Sequence, residues 1–315
     1  MTKYGLAYVS ILSLSLALGA CGSSDDPSGA DAGNNPNVDA STNPGPDAAP
    51  GEWQTLITGD WTMPSGEESY VCVRLTVQED MWINQFEAIN PEGTHHTVLT
   101  VGEPNGEDGT FPCGAGTNSD AMIFGSGVGG DAVQLPNGVA MKVAAGQQLL
   151  LNLHLFNVSG SEINGISGTK IKTVPQSEVV HEAEAILAGP TISLNVPPGV
   201  STQSGGCAMN GDVTIFAVGP HMHQLGIEMK VTANSTPEGT TVLHDDLYTF
   251  YEQRLYPITP IQMNQGDMLN VDCKYNNTTG SNVTFGDSSN QEMCFATLYR
   301  YPARGGTFGI VCSSF

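Results

Sequence analysis

Three groups of histidines and one methionine carry the side chains of this sequence that could hold a reactive metal. His221-Met222-His223 is the tightest group. On a β-strand, residues i and i+2 point to one face, so both imidazoles can reach a single ion without backbone distortion. Imidazole suits zinc, copper, iron or nickel, so this pair alone does not name the metal. His95 and His96 are neighbours, which face opposite ways on a regular strand and can share an ion only where the backbone leaves the ladder. Asn90-Pro91-Glu92-Gly93, just ahead of them, supplies such a break. His154, in Leu153-His154-Leu155, taken alone reads as a hydrogen-bonded core histidine. With Asn152, however, it puts two polar side chains on one face, which a dry core would avoid. Met293 taken alone reads as core packing. It precedes Cys294, and a disulfide there would pin the strand and fix the aim of the thioether on the opposite face. A thioether beside two imidazoles biases a site towards soft, reduced copper and against zinc. His181 and His244 have no convergent neighbours in sequence and read as surface histidines.

The elements that must position these residues are strands. Apolar segments alternate with period two in VCVRLTV (71–77), MWINQFEA (81–88), TVLTV (97–101) and LLLNLHLF (149–156), and again in DVTIFAVG, IEMKVTA, MLNVDCKY and CFATLYRY. Gly-, Pro- and Asn-rich turns punctuate them, with no amphipathic helix and no short-period repeat. The pattern predicts an all-β chain of two antiparallel sandwiches, residues 53–175 and 176–315, with the connection near Val174-Pro175-Gln176.

The N-terminus reads as an export signal over residues 1–21. An apolar run precedes Leu18-Gly19-Ala20-Cys21, a lipobox in which Cys21 would be diacylated. Gly22 rather than Asp follows, which favours the outer membrane of a Gram-negative bacterium, on its periplasmic or surface-exposed side. Residues 22–52, acidic and rich in Pro, Asn and Gly, read as a disordered tether. A net charge of −22 with ten basic residues excludes a nucleic-acid partner and fits a soluble extracellular surface. Lipidation of Cys21 leaves six of the seven cysteines, an even count in an exported chain that implies disulfides. Cys72 and Cys113 lie early and Cys207, Cys273, Cys294 and Cys312 late, so every bridge can close within one domain.

The order of motifs resembles the copper type II, ascorbate-dependent monooxygenases, the group containing peptidylglycine α-hydroxylating and dopamine β-monooxygenases. The match runs the length of the globular part. It takes in SYVCVRL, GTHHTVLTVG, FPCGAG, LLLNLHLFN, the linker PPGVSTQSGGC, FAVGPHMHQLG, YPITPIQMNQGDMLNVDCKYNN and FGDSSNQEMCFATLYRYP. The resemblance implies two jelly-roll-like domains facing each other across a solvent cleft, each with one copper ion. His95, His96 and His154 would form the site that accepts electrons from ascorbate or another donor. His221, His223 and Met293 would be the catalytic site where dioxygen and a small-molecule substrate meet and a C–H bond is hydroxylated. It further implies the bridges Cys72–Cys113, Cys207–Cys312 and Cys273–Cys294.

The ligand chemistry supports that division of labour: one set is all nitrogen and the other adds sulfur, and different ligands mean different potentials. Three protein ligands also leave a position open at each ion, as a reactive metal needs. In the peptide-amidating branch a basic residue just before the HxH clamps the substrate carboxylate. Here Val218-Gly219-Pro220 occupy those positions and Phe295 follows the Met-Cys pair, so a peptidylglycine substrate is not expected. Arg254, Tyr256 and Tyr299 are candidate cleft residues, with surface or core packing as the plainer reading of each. A monomer is the expected state. The alternative functions are a non-catalytic copper-binding envelope lipoprotein that buffers or delivers metal, and a surface module that binds protein or glycan.

Overall fold

The computed structural model describes residues 50–114, 121–190, 193–236, 239–286, 288–305 and 311–312. The expected export signal with Cys21 and nearly all of the expected tether lie outside the described residues. Those described all belong to one compact unit, Asp39–Phe315. Among them there is no α-helix, and the sheets are antiparallel apart from two short parallel pairings, His181–Glu182 with the strand Val139–Val143 and Val311–Cys312 with Glu184–Ala188.

The first half is built from two sheets. One runs in the order Gln54–Met63, Ile163–Thr173, Met81–Ile89, Val139–Val143, His181–Glu182. The other runs Gly109–Pro112, Glu68–Thr76, Gln148–Phe156, Thr94–Gly102, Ala121–Gly127. Period-two alternation explains their packing. In Gln148–Phe156 the leucines at 149, 151, 153 and 155 are all fully buried in the core, while Gln148, Leu150, Asn152 and His154 take the opposite face. That second face is also buried, and its polar side chains are satisfied one by one: Asn152 donates to the Gly114 carbonyl at 3.0 Å, for example.

The second half repeats the plan. One sheet runs Tyr256–Met263, Val213–Met222, Cys294–Tyr301, Glu184–Ala188, Val311–Cys312, and the other Gly199–Ala208, Met268–Asn277, Gly226–Thr236, Gly239–Leu247. The segment PPGVSTQSGGC is not a linker here. Gly199–Ala208 pairs without interruption to Met268–Asn277 through Gly199↔Asn277 to Ala208↔Met268. Its adjacent glycines make the close approach possible, since a Cβ on Gly206 would lie 2.0 Å from the Leu269 carbonyl oxygen. Gly206→Ala is therefore expected to cost at least the ~1–3 kcal/mol typical of overpacking, read as a lowered urea midpoint at unchanged m-value.

Between the halves the chain passes through a 3-10 turn, Gln176–Glu178, and His181–Glu182 still pairs with the first half before Glu184 enters the second. The first core does not stop at that crossing. Ala185, Phe216, Ala217 and Tyr299 of the second half pack into it, and the Tyr299 hydroxyl donates to the Ile123 carbonyl at 3.1 Å. Tyr299 is thus a core residue. Tyr256 is partly exposed against the His244 ring, and Arg254 reaches Asp131 of the first half at 3.7 Å. His244 is half-buried, and His181 is exposed and stacks on Tyr301.

Candidate metal centre

The first histidine set sits on the sheet face that faces away from the leucine core. Tyr70, His154 and His96 lie in one row across three strands, with Tyr70↔His154 and His96↔His154 as direct partners. The Tyr70 ring stacks on His154 with 4.5 Å between centroids and 4° between planes. His95 reaches the same place because the ladder breaks at it: pairing jumps from Thr94↔Leu155 to His96↔His154, leaving His95 as the extra residue of a bulge. The break falls on the histidine itself rather than on the Asn90-Pro91-Glu92-Gly93 turn before it. His96 Nδ1 lies 3.1 Å from His95 Nδ1 and 3.3 Å from His154 Nδ1, and one ligand atom from each of the three falls within 4.8 Å of the others.

The second set follows from plain alternation. His221 is opposite Phe295 and Met222 is opposite Cys294. Met222 and Cys294 are fully buried, so His221 and Phe295 take the other face, where their rings stack. Beyond the last rung, Met222↔Cys294, the chain leaves the ladder on both sides, at His223 and at the half-buried Met293. The His221 and His223 ring centroids are 5.3 Å apart. Met293 is held from behind: Cys294 is bonded to Cys273, and the Tyr275 hydroxyl donates to the Met293 carbonyl at 2.7 Å. Glu292, fully buried, accepts from the backbone N–H of His223 at 3.0 Å and of Leu225 at 2.7 Å, which closes the turn after the histidines.

Outer partners decide which ring nitrogen each histidine presents. A carboxylate and carbonyl oxygens can only accept, so His154 Nε2 donates to Glu68 at 2.6 Å and His95 Nε2 to the Phe250 carbonyl at 3.2 Å. Both leave Nδ1 bare, towards His96. In the second set His223 Nδ1 donates to the Gln291 carbonyl at 3.1 Å and His221 Nδ1 pairs with Gln253 Oε1 at 2.8 Å, which leaves Nε2 bare on both. Burial pushes His95 down to about 4, His221 to about 3 and His223 to about 4. Burial, and then the neighbouring imidazoles, hold His96 well below its ordinary value, and His154 is lowered by burial against the pull of Glu68. Neutral rings with bare, convergent nitrogens are what a metal requires, so the residues present fit copper ligation.

The two sets touch. The His96 and His221 ring centroids are 5.8 Å apart, so at the histidines the two halves are in edge-to-face contact while both rings stay partly exposed. The Glu68 carboxylate that holds His154 also accepts from Ser289 of the second half at 2.6 Å. Neither Glu68, Ser289, Glu292 nor Gln253 was singled out by sequence. Only Glu68 carries a local signal, as an acid sharing one strand face with Tyr70 and Cys72.

Cys72 is bonded to Cys113 and Cys273 to Cys294. Cys207 is disulfide-bonded as well; the expected partner Cys312 is described in its backbone alone.

The depressed histidines set the acid response of the metal-free protein. Unfolded, these rings titrate near ~6.5, so between about 6.5 and about 4 the unfolded chain binds more protons and stability falls on acidification. Glu292 works in the opposite sense, because burial raises its carboxyl to about 7 and the folded chain gains protons as pH falls towards 4.5. Three histidines outweigh one carboxylate. A net loss on the order of a few kcal/mol between pH 7 and 5 is expected at ~1.4 kcal/mol per pH unit per group, seen as a lowered urea midpoint in chelator. An equal or higher midpoint at pH 5 would contradict it.

Residues 191–313 match the family described as copper type II ascorbate-dependent monooxygenase, C-terminal domain. The human protein named "Putative DBH-like monooxygenase protein 2" is 26% identical over 275 residues, covering 76% of this chain and 54% of the relative. Human DBH-like monooxygenase protein 1 is 23% identical over 286 residues, covering 78% of this chain and 46% of the relative. The chain thus spans about half the length of the curated relatives it matches. A solved structure, dimeric latent PorU of Porphyromonas gingivalis, aligns over 75% of this chain and 25% of that one at 11% identity with a TM-score of 0.19, which carries no argument. The matched segment contains His221, His223 and Met293, and both relatives extend the likeness over three quarters of the sequence: the chain is similar to copper type II ascorbate-dependent monooxygenases, most directly in its second half.

Proposed function

We propose that the chain is a copper-dependent monooxygenase that hydroxylates a C–H bond of a small organic substrate, using dioxygen and a reductant such as ascorbate, with one copper ion in each half. The observation that carries this reading is the unlike make-up of two adjoining ligand sets. One offers Nδ1 atoms of His95, His96 and His154; the other offers Nε2 of His221 and His223, to which the family likeness adds the thioether of Met293, next in the chain to the strand Cys294–Tyr301 that pairs with His221. Copper held this way supplies one-electron redox chemistry and the activation of dioxygen. The overall change balances as R–H plus O2, two electrons and two protons giving R–OH and water, the electrons coming from the reductant.

The protein's own residues contribute placement. Glu68, the Phe250 and Gln291 carbonyls and Gln253 hold protons on the outward ring nitrogens, so the inward ones bind without first losing a proton. Phe250, stacked on His95 with centroids 4.1 Å apart, and Phe295, stacked on His221, keep water from the rings. Gly219 and Phe295 offer no cation to a carboxylate, which favours a neutral, apolar substrate. The chain acts at the outer membrane as a monomer held by acyl chains on Cys21, and palmitate labelling lost in Cys21→Ser tests that anchoring.

Metal analysis and X-ray absorption on the reduced full chain test the metal content, with two coppers per chain and sulfur at one of them as the expected result. A zinc-only or single-metal result would sink the reading. Oxygen uptake with ascorbate must also rise with an amine, amide or phenethyl compound. Tight copper without coupled turnover would instead support the non-catalytic copper-buffering lipoprotein.

A further inference from the structure

Each histidine set has an outward nitrogen held by the same short turn of the second half, residues 249–253. Thr249 and Glu252 bridge its base. Within it Phe250 and Gln253 are buried, and the Gln253 Nε2 amide donates to the Phe250 carbonyl at 3.3 Å. That carbonyl also accepts from His95 Nε2 at 3.2 Å, and the Gln253 Oε1 faces His221 Nδ1 at 2.8 Å. The chain of roles has one solution. The Phe250 oxygen can only accept, so it draws the amide nitrogen of Gln253 towards itself and leaves the amide oxygen facing His221. That oxygen can only accept in turn, so His221 carries its hydrogen on Nδ1 and presents Nε2. The same Phe250 oxygen fixes His95 with its hydrogen on Nε2 and Nδ1 bare.

The turn is also laced to the first half. Gly127 N–H donates to the Gln253 carbonyl at 3.2 Å, Gln253 N–H to the Val128 carbonyl at 3.4 Å, and Val128 N–H to the His95 carbonyl at 3.2 Å. Gly127 lies opposite His96 on the ladder, and a Cβ there would sit 2.6 Å from Gln253 Cβ, so only glycine lets the turn come this close.

We infer that the Phe250–Gln253 turn is a shared organiser of both histidine sets, with Gln253 as a positioning residue whose amide sets the copper affinity of a site in the other half of the chain. This rests on the reading that both sets hold copper. The organiser ties the sites together through protein, and requires the halves to be docked before either set is fully arranged.

The test reads the first set alone, in the full chain carrying His223→Ala, by competition of cuprous ion against a chromogenic chelator. Adding Gln253→Leu is expected to weaken that first set by roughly 10–100-fold, the range for loss of an outer-shell partner. Unchanged first-set affinity overturns the inference, whereas absence of any copper in the His223→Ala chain overturns the copper reading itself. In the chain with all ligands intact, Gln253→Glu separates the two arms. Its carboxylate still accepts from His221 but repels the Phe250 oxygen, so the second set keeps its affinity and the first loses it; equal loss at both, or at neither, counts against the organiser. Should Gln253→Leu not fold, Gly127→Ala displaces the turn while leaving its amide intact, and the same first-set loss is expected. Independently of any variant, long-range ¹H–¹⁵N correlation on the metal-free protein must show His95 protonated on Nε2 and His221 on Nδ1. The opposite tautomer at either ring would refute the assignment.

Discussion

Replacing His96 by alanine is expected to empty the first set and bring ascorbate-driven turnover to background, while the second set still takes up copper. His96 is the hub of its set: its Nδ1 is within 3.3 Å of the Nδ1 of both His95 and His154. Without it two imidazoles remain whose outer nitrogens are tied to different partners, Phe250 and Glu68. Neither can rotate to cover the vacant position without breaking a buried hydrogen bond, which costs about 1–3 kcal/mol for the group left unpaired. The loss of affinity should therefore exceed the ~10–100-fold of an outer-shell change. Copper content falling by half, with the sulfur signal retained in X-ray absorption, is the signature. Full copper content with normal turnover would show that the set is not a redox site.

Met293→Leu is the second large effect, and it acts on chemistry rather than on metal content. Leucine keeps the volume, so the fold should lose less than ~1.5 kcal/mol, and Met293→Ala serves as the harsher companion. The backbone on either side is fixed by the Cys273–Cys294 bond, by Tyr275 on the Met293 carbonyl and by Glu292 on the turn after His223. Hence the substitution removes the thioether and little else. His221 and His223 still offer two nitrogens, so copper is retained with weakened binding, the sulfur scatterer disappears, and oxygen uptake coupled to substrate ceases. Coupled turnover at the original rate in Met293→Leu would remove sulfur from the catalytic role.

The parts of this arrangement that obey a local rule could be read from the sequence. Strand alternation is local, so it gave the all-β class, the shared face of His221 and His223, and the inward Met222 between them. His95 is harder, because a bulge is set by how two strands register across the sheet, and sequence indicates only that the ladder must break nearby. The glycine-rich segment 199–208 looks like a connection because glycine is a poor strand former; it is a strand because Gly205 and Gly206 let backbone approach backbone. Gln253 and Ser289 are invisible to any local rule, each acting on a residue 32 or 221 positions away with nothing in its own neighbourhood to mark it, and Glu68, marked only by its strand face, acts on one 86 positions away. The family likeness supplied His154 and Met293, which residue chemistry alone leaves open.

The shared core has a consequence for how such a protein can be cut, exchanged or diversified. Ala185, Phe216, Ala217 and Tyr299 give their apolar surface to the first half. A fragment beginning near residue 190, where the recognised family segment starts, would keep Phe216, Ala217 and Tyr299 but leave them in water, with a stranded Tyr299 hydroxyl and without Glu184–Ala188, the strand between Cys294–Tyr301 and Val311–Cys312. Expressed alone, that segment should be prone to self-association. The inheritable unit is therefore the pair of halves together, and grafting a foreign second half onto this first half would succeed only if the graft brought the same four-residue apolar footing with it.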